Sequence, residues 1–389
     1  MFTLLLVTLP LLPWPATAKP FVPTDDSEVL EDLPYRIDDL GVQELRTLRN
    51  ALTSDPCNLA LAVRLAGRYI ELGRTQADPR YYGYAQAALE PWWNLPEAPA
   101  TVLVLRATLR QNRHEFPAAL ADLSRALRLE PRNAQAWLTR AVILTVQGEY
   151  AAAMESCLPL FKLAEPLVSV ACISNAGSLS GQAARHYELL SQTLASAPAA
   201  NPETRRWALT LLAEIAVRID DPQAAERHFQ EALALEQPDA YLRAAYADLL
   251  LDQGRFAEVK ALLTDEIRVD GLLLRLALAE RTQNRADLHG HIDALKSRFA
   301  ASRARGDTTH QGEEARFVLH LLDRPRAALQ LAQANWRVQR EPRDARILLE
   351  AALAARDKAA AEPVLAMLRR ARLEDGRLSA LTQQIEVLP

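Results

Sequence analysis

The chain has 389 residues and a mass of 43.2 kDa, with 45 Lys and Arg against 49 Asp and Glu, a formal net charge of −4. So near-neutral a balance excludes a protein that wraps nucleic acid, which needs a basic face to neutralise phosphates. Only 13 glycines and 3 cysteines beside a 49% apolar share exclude collagen-like, disordered and disulfide-dense classes, and the Ala- and Leu-rich remainder favours helix.

In chain order, Phe2 to Leu12 is an apolar run, closed by Pro13, Trp14 and Pro15 and by the small-x-small triplet Ala16-Thr17-Ala18. The run falls short of the ~20 residues a membrane-spanning helix needs. Residues 1–18 are therefore expected to be an export signal, although no Lys or Arg precedes the apolar run. No later apolar stretch approaches that length, so no integral membrane segment is expected in the mature chain, which is placed in the periplasm or outside the cell. Residues 19–40 carry Pro20, Pro23 and Pro34 among Asp25, Asp26, Glu28, Glu31 and Asp32, and read as an extended acidic arm before a single domain over 41–389.

A lone helix is predicted over 42–55, stopped at Pro56. Helix pairs follow at about 59–95, 100–130, 134–165, 167–197, 203–237, 240–268, 270–304, 312–341 and 344–373, with a final helix from Leu378. Their signal is recurrence at one constant interval. Ala107 and Ala141, Phe116 and Tyr150, Ala119 and Ala153, and Ala213 and Ala247 are all separated by the same step. That step, about 34 residues, is the length of one helix-turn-helix repeat. Small residues let paired helices approach closely, and Phe116, Tyr150 and Phe256 open second helices with an apolar anchor. Gly73, Gly148 and Gly254 are expected at left-handed caps of first helices. With Trp137 opening a copy and Pro131 closing one, these residues resemble the tetratricopeptide repeat. The resemblance implies an all-α, right-handed α-solenoid of about nine hairpins, in which no hairpin buries its apolar stripe alone and the stack is the folding unit.

Three departures from the pattern stand out. The step from Ala66 to Ala107 is longer than that interval, so the first pair carries an insert, Asp78 to Tyr84. Its Tyr81, Tyr82 and Tyr84, with Trp92 and Trp93, either cap the stack or form an aromatic patch for a partner. Pro159 sits where a second helix should continue, so that helix ends or kinks near Leu158. Beside it, Cys157 and Cys172 fall on successive antiparallel helices, and after export they are a candidate disulfide, with plain core packing as the other reading. Cys57 is the odd cysteine.

The chain holds no phosphate loop, Cys-x-x-Cys or His-Glu-x-x-His. His289-x-His291 would point apart on a helix, and Gly177-Ser178-Leu179-Ser180-Gly181 has Leu where a nucleophile elbow needs Ser, so it reads as a turn. Arg305-Gly306-Asp307 matches an adhesion tripeptide only at chance level. No catalytic residue, cofactor or metal is expected.

The resemblance places Thr108, Gln111, Asn112, Gln135, Thr139, Trp207, Glu214, Arg218, Tyr241, Asp248 and Asp252 on the concave wall. One end is neutral and polar and the next aromatic and acidic. The implied function is a non-enzymatic scaffold that binds a protein or extended peptide in a preformed groove within a bacterial envelope. Some relatives grip C-terminal carboxylates with Asn and Lys or Arg, a set absent from these positions. The alternative is a carbohydrate-binding or glycan-cleaving helical protein using Trp207, Tyr241, Glu214 and Asp248.

Overall fold

Helix formation follows the small-and-apolar pattern along the chain. The computed structural model describes Asp25 and residues 40–235, 239–283 and 287–388; the expected export signal and nearly all of the acidic arm lie outside the described residues. Every regular element among the described residues is helical. A first helix, α1 (Leu40–Ser54), precedes α2 (Leu59–Thr75), which pairs with α3 (Arg80–Ala88) and the short α4 (Glu90–Trp93). The second hairpin is α5 (Ala100–Asn112) with α6 (Phe116–Leu129), and the third α7 (Ala134–Val146) with α8 (Tyr150–Cys157). The fourth is α9 (Pro166–Gly177) with α10 (Ala183–Ala195), and the fifth α11 (Pro202–Arg218) with α12 (Pro222–Leu233). Next come α13 (Ala240–Asp252) with α14 (Phe256–Leu263) and α15 (Asp270–Gln283) with α16 (Leu288–Ala304). The last two are α17 (Gln311–His320) with α18 (Pro325–Trp336) and α19 (Pro342–Ala355) with α20 (Lys358–Ala371), before the final α21 (Gly376–Glu386). These are the nine expected hairpins. Leu48–Pro389 form one compact unit.

Packing within that unit is that of a solenoid: each hairpin closes on itself, and from α5 to α19 each first helix touches the next first helix. The small residues explain how. Ala107, Ala119, Ala153, Ala213, Ala225, Ala232 and Ala247 are fully buried at helix–helix contacts. A larger side chain at any of them would push backbones apart in an interior packed as densely as a crystal.

The described turns between paired helices share one device, a left-handed residue after the first helix. Gly148 and Gly254 supply it without steric cost, at φ 76° and 69°. Elsewhere Ala77, His114, Asp220, Asp323 and Arg356 adopt the same conformation. Gly73 does not cap α2 as expected; it lies inside the helix, and its missing Cβ makes room for the Tyr82 ring, which an added Cβ would meet at 2.7 Å. Ala77 takes the cap because the inserted residues carry the chain past Thr75.

At Pro159 the chain leaves α8 and runs through a 3-10 turn, Leu158–Lys162, because proline cannot donate into the preceding turn. A disulfide joins Cys157 to Cys172 there, with Cα atoms 5.7 Å apart, buried among Ala141 and Leu160. Cys57 is free and exposed.

The C-terminal hairpins return onto earlier ones. Tyr150 and Leu179 belong to the same apolar cluster as Leu348, Ala352 and Leu378. The Arg340 amide donates to the Val146 carbonyl at 2.8 Å, and the Ala183 amide donates to Glu374 at 2.8 Å. On another side, Arg74 at the end of α2 donates to Glu203 at 2.5 Å and Asp239 at 3.4 Å. The concave face is thus bridged by the chain itself.

Candidate functional site

Helix α11 sets the two groups around which the interior is arranged. Glu214 and Arg218 lie one turn apart, so they leave the same helix face. That face lines a cavity of about 1200 Å3, to which all nine hairpins contribute, from Tyr82 and Asn112 to Arg316 and Arg346. Glu214 accepts a hydrogen bond from the Tyr241 hydroxyl of α13 at 2.5 Å, and the Arg343 guanidinium lies 5.5 Å from the Tyr241 ring centre. Burial pushes the Glu214 carboxyl above its ordinary range, against the pull of the Tyr241 hydrogen bond. Burial, and then the Glu214 charge, push the Tyr241 hydroxyl well up. Although 44% of the Tyr241 surface is accessible, it faces this interior space.

Arg218 donates through Nη2 to the Ser178 hydroxyl at 2.7 Å, while its buried Nε has no partner among the described residues. Burial lowers its pKa from the ordinary value, with Glu214 and Asp375 opposing that trend from a distance. No ion pair within 4.0 Å joins Arg218 to an acid among the described residues.

The neighbouring acids are, by contrast, neutralised. Asp248 accepts from Arg275 at 2.7 Å and Arg316 at 2.6 Å. Burial alone would raise its carboxyl, but the two guanidiniums hold it far below the usual range. Asp252 accepts from Arg346 at 3.0 and 2.7 Å and also from Arg377. Arg346 reaches Glu350 at 2.7 Å as well; burial opposes ionisation of that carboxyl, but His320 and Arg346 hold it at about 2.

Of the positions expected on the concave wall, Asn112, Glu214, Arg218, Tyr241 and Asp248 line the cavity together. Asp252 is engaged by arginines that do. The other five are outside the lining. Thr108 bonds back to the Val104 carbonyl at 3.1 Å, and Gln135 donates to Thr139 at 3.1 Å. Gln111 is half-buried, and Trp207 packs against two apolar clusters, so no aromatic platform stands beside Glu214 at that position.

The aromatic insert divides. Tyr81 and Tyr84 stack around Tyr69 with ring centres 6.1 and 5.6 Å away, Tyr82 turns inward to the cavity, and Tyr84 remains 52% exposed. Trp92 and Trp93 are half-buried, Trp93 lying 6.0 Å under the Arg110 guanidinium while its carbonyl accepts from Arg106.

The inward arginines of α15, α17, α19 and α21 escaped sequence reasoning. One signal existed, an Arg on each of those helices at Arg275, Arg316, Arg346 and Arg377. Pairing each with an acid up to 125 residues away required the closure itself. The weaker motifs resolve simply: Gly177 to Gly181 forms the turn between α9 and α10, and His291 pairs with buried Glu280 at 2.8 Å. Arg305 and Asp307 line the cavity rather than displaying an adhesion loop. Among the described residues no group of three His, Cys, Asp or Glu side chains is placed to hold a metal, and no helix is long and apolar enough to cross a membrane.

Residues 104–158 and 210–258 match the tetratricopeptide repeat family model. No curated protein matches the chain. Among solved structures, a tetratricopeptide repeat protein from Parabacteroides merdae ATCC 43184 is similar at 16% identity, over 66% of this chain and 91% of that one, with a TM-score of 0.42. The tetratricopeptide repeat domain of P58(IPK) is similar at 14% identity, over 84% of this chain and 97% of that one, with a TM-score of 0.23. Neither superposition is close enough to carry a partner or a shape across. The two matched stretches coincide with hairpins whose buried alanines, aromatic helix starts and left-handed turns recur at the interval of one repeat, and over these stretches the chain carries tetratricopeptide repeats.

Proposed function

We propose that this chain, which carries tetratricopeptide repeats, is a protein-interaction scaffold that is exported to the bacterial envelope and there receives a polypeptide partner on its concave side, without catalysing a reaction. The observation that carries this reading is the pairing of Asp248 and Asp252 with Arg316, Arg346 and Arg377, brought from helices up to 125 residues away. A partner segment with basic and apolar side chains offers those carboxylates the same chemistry, and exchange of one set of arginines for another admits it at little net cost. The buried Cys157–Cys172 disulfide suits an oxidising compartment and supports the export reading.

The glycan-cleaving alternative finds less support. Asp248 has its oxygens occupied by two guanidiniums, and Trp207 is packed away from the cavity.

The test is site-specific photo-crosslinking in the native envelope. Probes at Asn112 and Asp252 should capture a polypeptide, and a probe at exposed Leu189 on α10 should not. Capture from Leu189 alone would place the partner on the outer face and end the concave reading. Fractionation of the tagged full chain tests export, and a cytoplasmic pool with both cysteines reduced would contradict it.

A further inference from the structure

Many of the charges in the cavity are ion-paired, whereas Glu214 and Arg218, side by side on α11, are not. Asp248, Asp252, Glu313 and Glu350 each meet at least one guanidinium at 3.0 Å or less. Glu214 meets only a tyrosine hydroxyl, through one oxygen; its other oxygen has no partner among the described residues. Arg218 meets only a serine hydroxyl, and its Nε is buried without a partner. Despite standing at i and i+4 they form no ion pair with each other within 4.0 Å among the described residues, because Tyr241 draws one side chain away and Ser178 the other. An unneutralised charge in such surroundings is unfavourable, and opposite charges offered by a ligand would relieve it.

We propose that the cavity binds a small zwitterionic molecule of the amino-acid or short-peptide class, its ammonium at Glu214 and its carboxylate at Arg218. Side chains one turn apart on a helix have Cβ atoms roughly 5–6 Å apart. The charged ends of an extended dipeptide, at ~3.5 Å per residue, stand roughly 7 Å apart, a span suited to two side-chain ends drawn away from each other by Tyr241 and Ser178. The volume of about 1200 Å3 exceeds what a single amino acid fills and leaves room for side chains beside Tyr241 and Asn112. The Tyr241 ring, with Arg343 on it, supplies an apolar wall between the two charged ends. This site is separate from the polypeptide-binding reading: it needs a free ammonium and a free carboxylate on one small molecule, whereas a partner segment running through the concave side has neither nearby.

The test uses the full chain and an equimolar mixture of unblocked dipeptides. The same mixture is also offered N-acetylated and, separately, C-amidated, with thermal shift and calorimetry as readouts. The unblocked mixture should raise the melting temperature, and each blocked mixture should bind at least about tenfold more weakly, the cost of one charge-assisted contact. Glu214→Gln should abolish discrimination against the acetylated form only, and Arg218→Gln against the amidated form only. No thermal shift from the unblocked mixture at millimolar concentration overturns the proposal, as does equal binding of blocked and unblocked forms. If either variant fails to fold, the blocked-peptide comparison on the unaltered chain decides by itself. Failure here leaves photo-crosslinking of a polypeptide partner unaffected, so the two readings fall separately.

Discussion

The hairpins over 100–157 and those over 270–371 have the same topology but are held by different forces. In the first region alanines recur on period and the contacts are local: α5 lies on α6, α7 on α8, and the buried pair Arg106–Asp122 ties α5 to α6 at 2.8 Å. In the second the repeat markers thin out, and much of the specificity lies in arginines that reach acids of α13, 27 to 94 residues away. Regular repeats encode nearest-neighbour stacking, while irregular ones are free to encode where the stack closes.

The largest effect expected is in the regular region. Asp122→Ala leaves the Arg106 guanidinium, itself buried and also bonded to the Trp93 carbonyl, without its carboxylate. Removing one partner of a buried pair typically costs about 3–5 kcal/mol, read by urea denaturation. A loss under about 1 kcal/mol would show that α5 and α6 are held by their alanines alone. Between the two regions sits the disulfide. Cys157→Ser with Cys172→Ser should cost roughly 3 kcal/mol for a loop of 15 residues, if the pocket around Ala141 and Leu160 stays packed.

A smaller effect probes the closure. Asp248→Asn with Asp252→Asn should change global stability by about 1–2 kcal/mol, because four partly accessible pairs are lost and several arginines are left facing one another. Proteolysis should then begin in the C-terminal hairpins while residues 100–260 stay protected. Uniform digestion would mean that the closure is part of the core rather than an addition to it.

Acid should act at the same seam. Burial, with His310 nearby, lowers the His114 pKa to about 4, below the ordinary value near 6.5. The unfolded chain therefore binds the proton first, so this contribution is complete above about pH 6.5 and is lost as pH falls toward 4. His114→Gln should flatten stability over that window by about 1 kcal/mol, after discounting for water in the cavity. The smallest expected effect is a gain. Arg356, exposed at φ 56°, occupies the left-handed turn position that Gly148 holds in the third hairpin. Arg356→Gly should stabilise by roughly 0.5–1 kcal/mol, and a loss would show that the arginine side chain itself matters.

Legibility followed the range of the interaction. Hairpin limits came within a few residues of those observed, because Pro56, Pro131, Phe116 and Tyr150 act on the chain within one turn of themselves. Gly73 misled, since the same residue serves a cap or a close ring contact and only Tyr82 distinguishes the two. Five of the eleven expected wall positions reach the cavity. Trp207 does not, although it lies two turns before Glu214 on the same face of α11, because it packs against two apolar clusters, and no sequence periodicity sets that contact. The left-handed turns at His114, Asp220 and Asp323 were illegible for another reason: tertiary packing pays their strain, so no glycine marks them.

From its residues alone this chain was committed to paired helices, to their number and to the alanine contacts that stack them, because each depends on side chains within one repeat or its neighbour. Whether the concave face would lie open or be spanned was settled only by the folded molecule. Small angular differences accumulate from the sixth hairpin through the ninth to α21 before Asp252 can meet Arg346 and Arg377, and the separate placing of Glu214 and Arg218 follows from geometry that no single repeat contains.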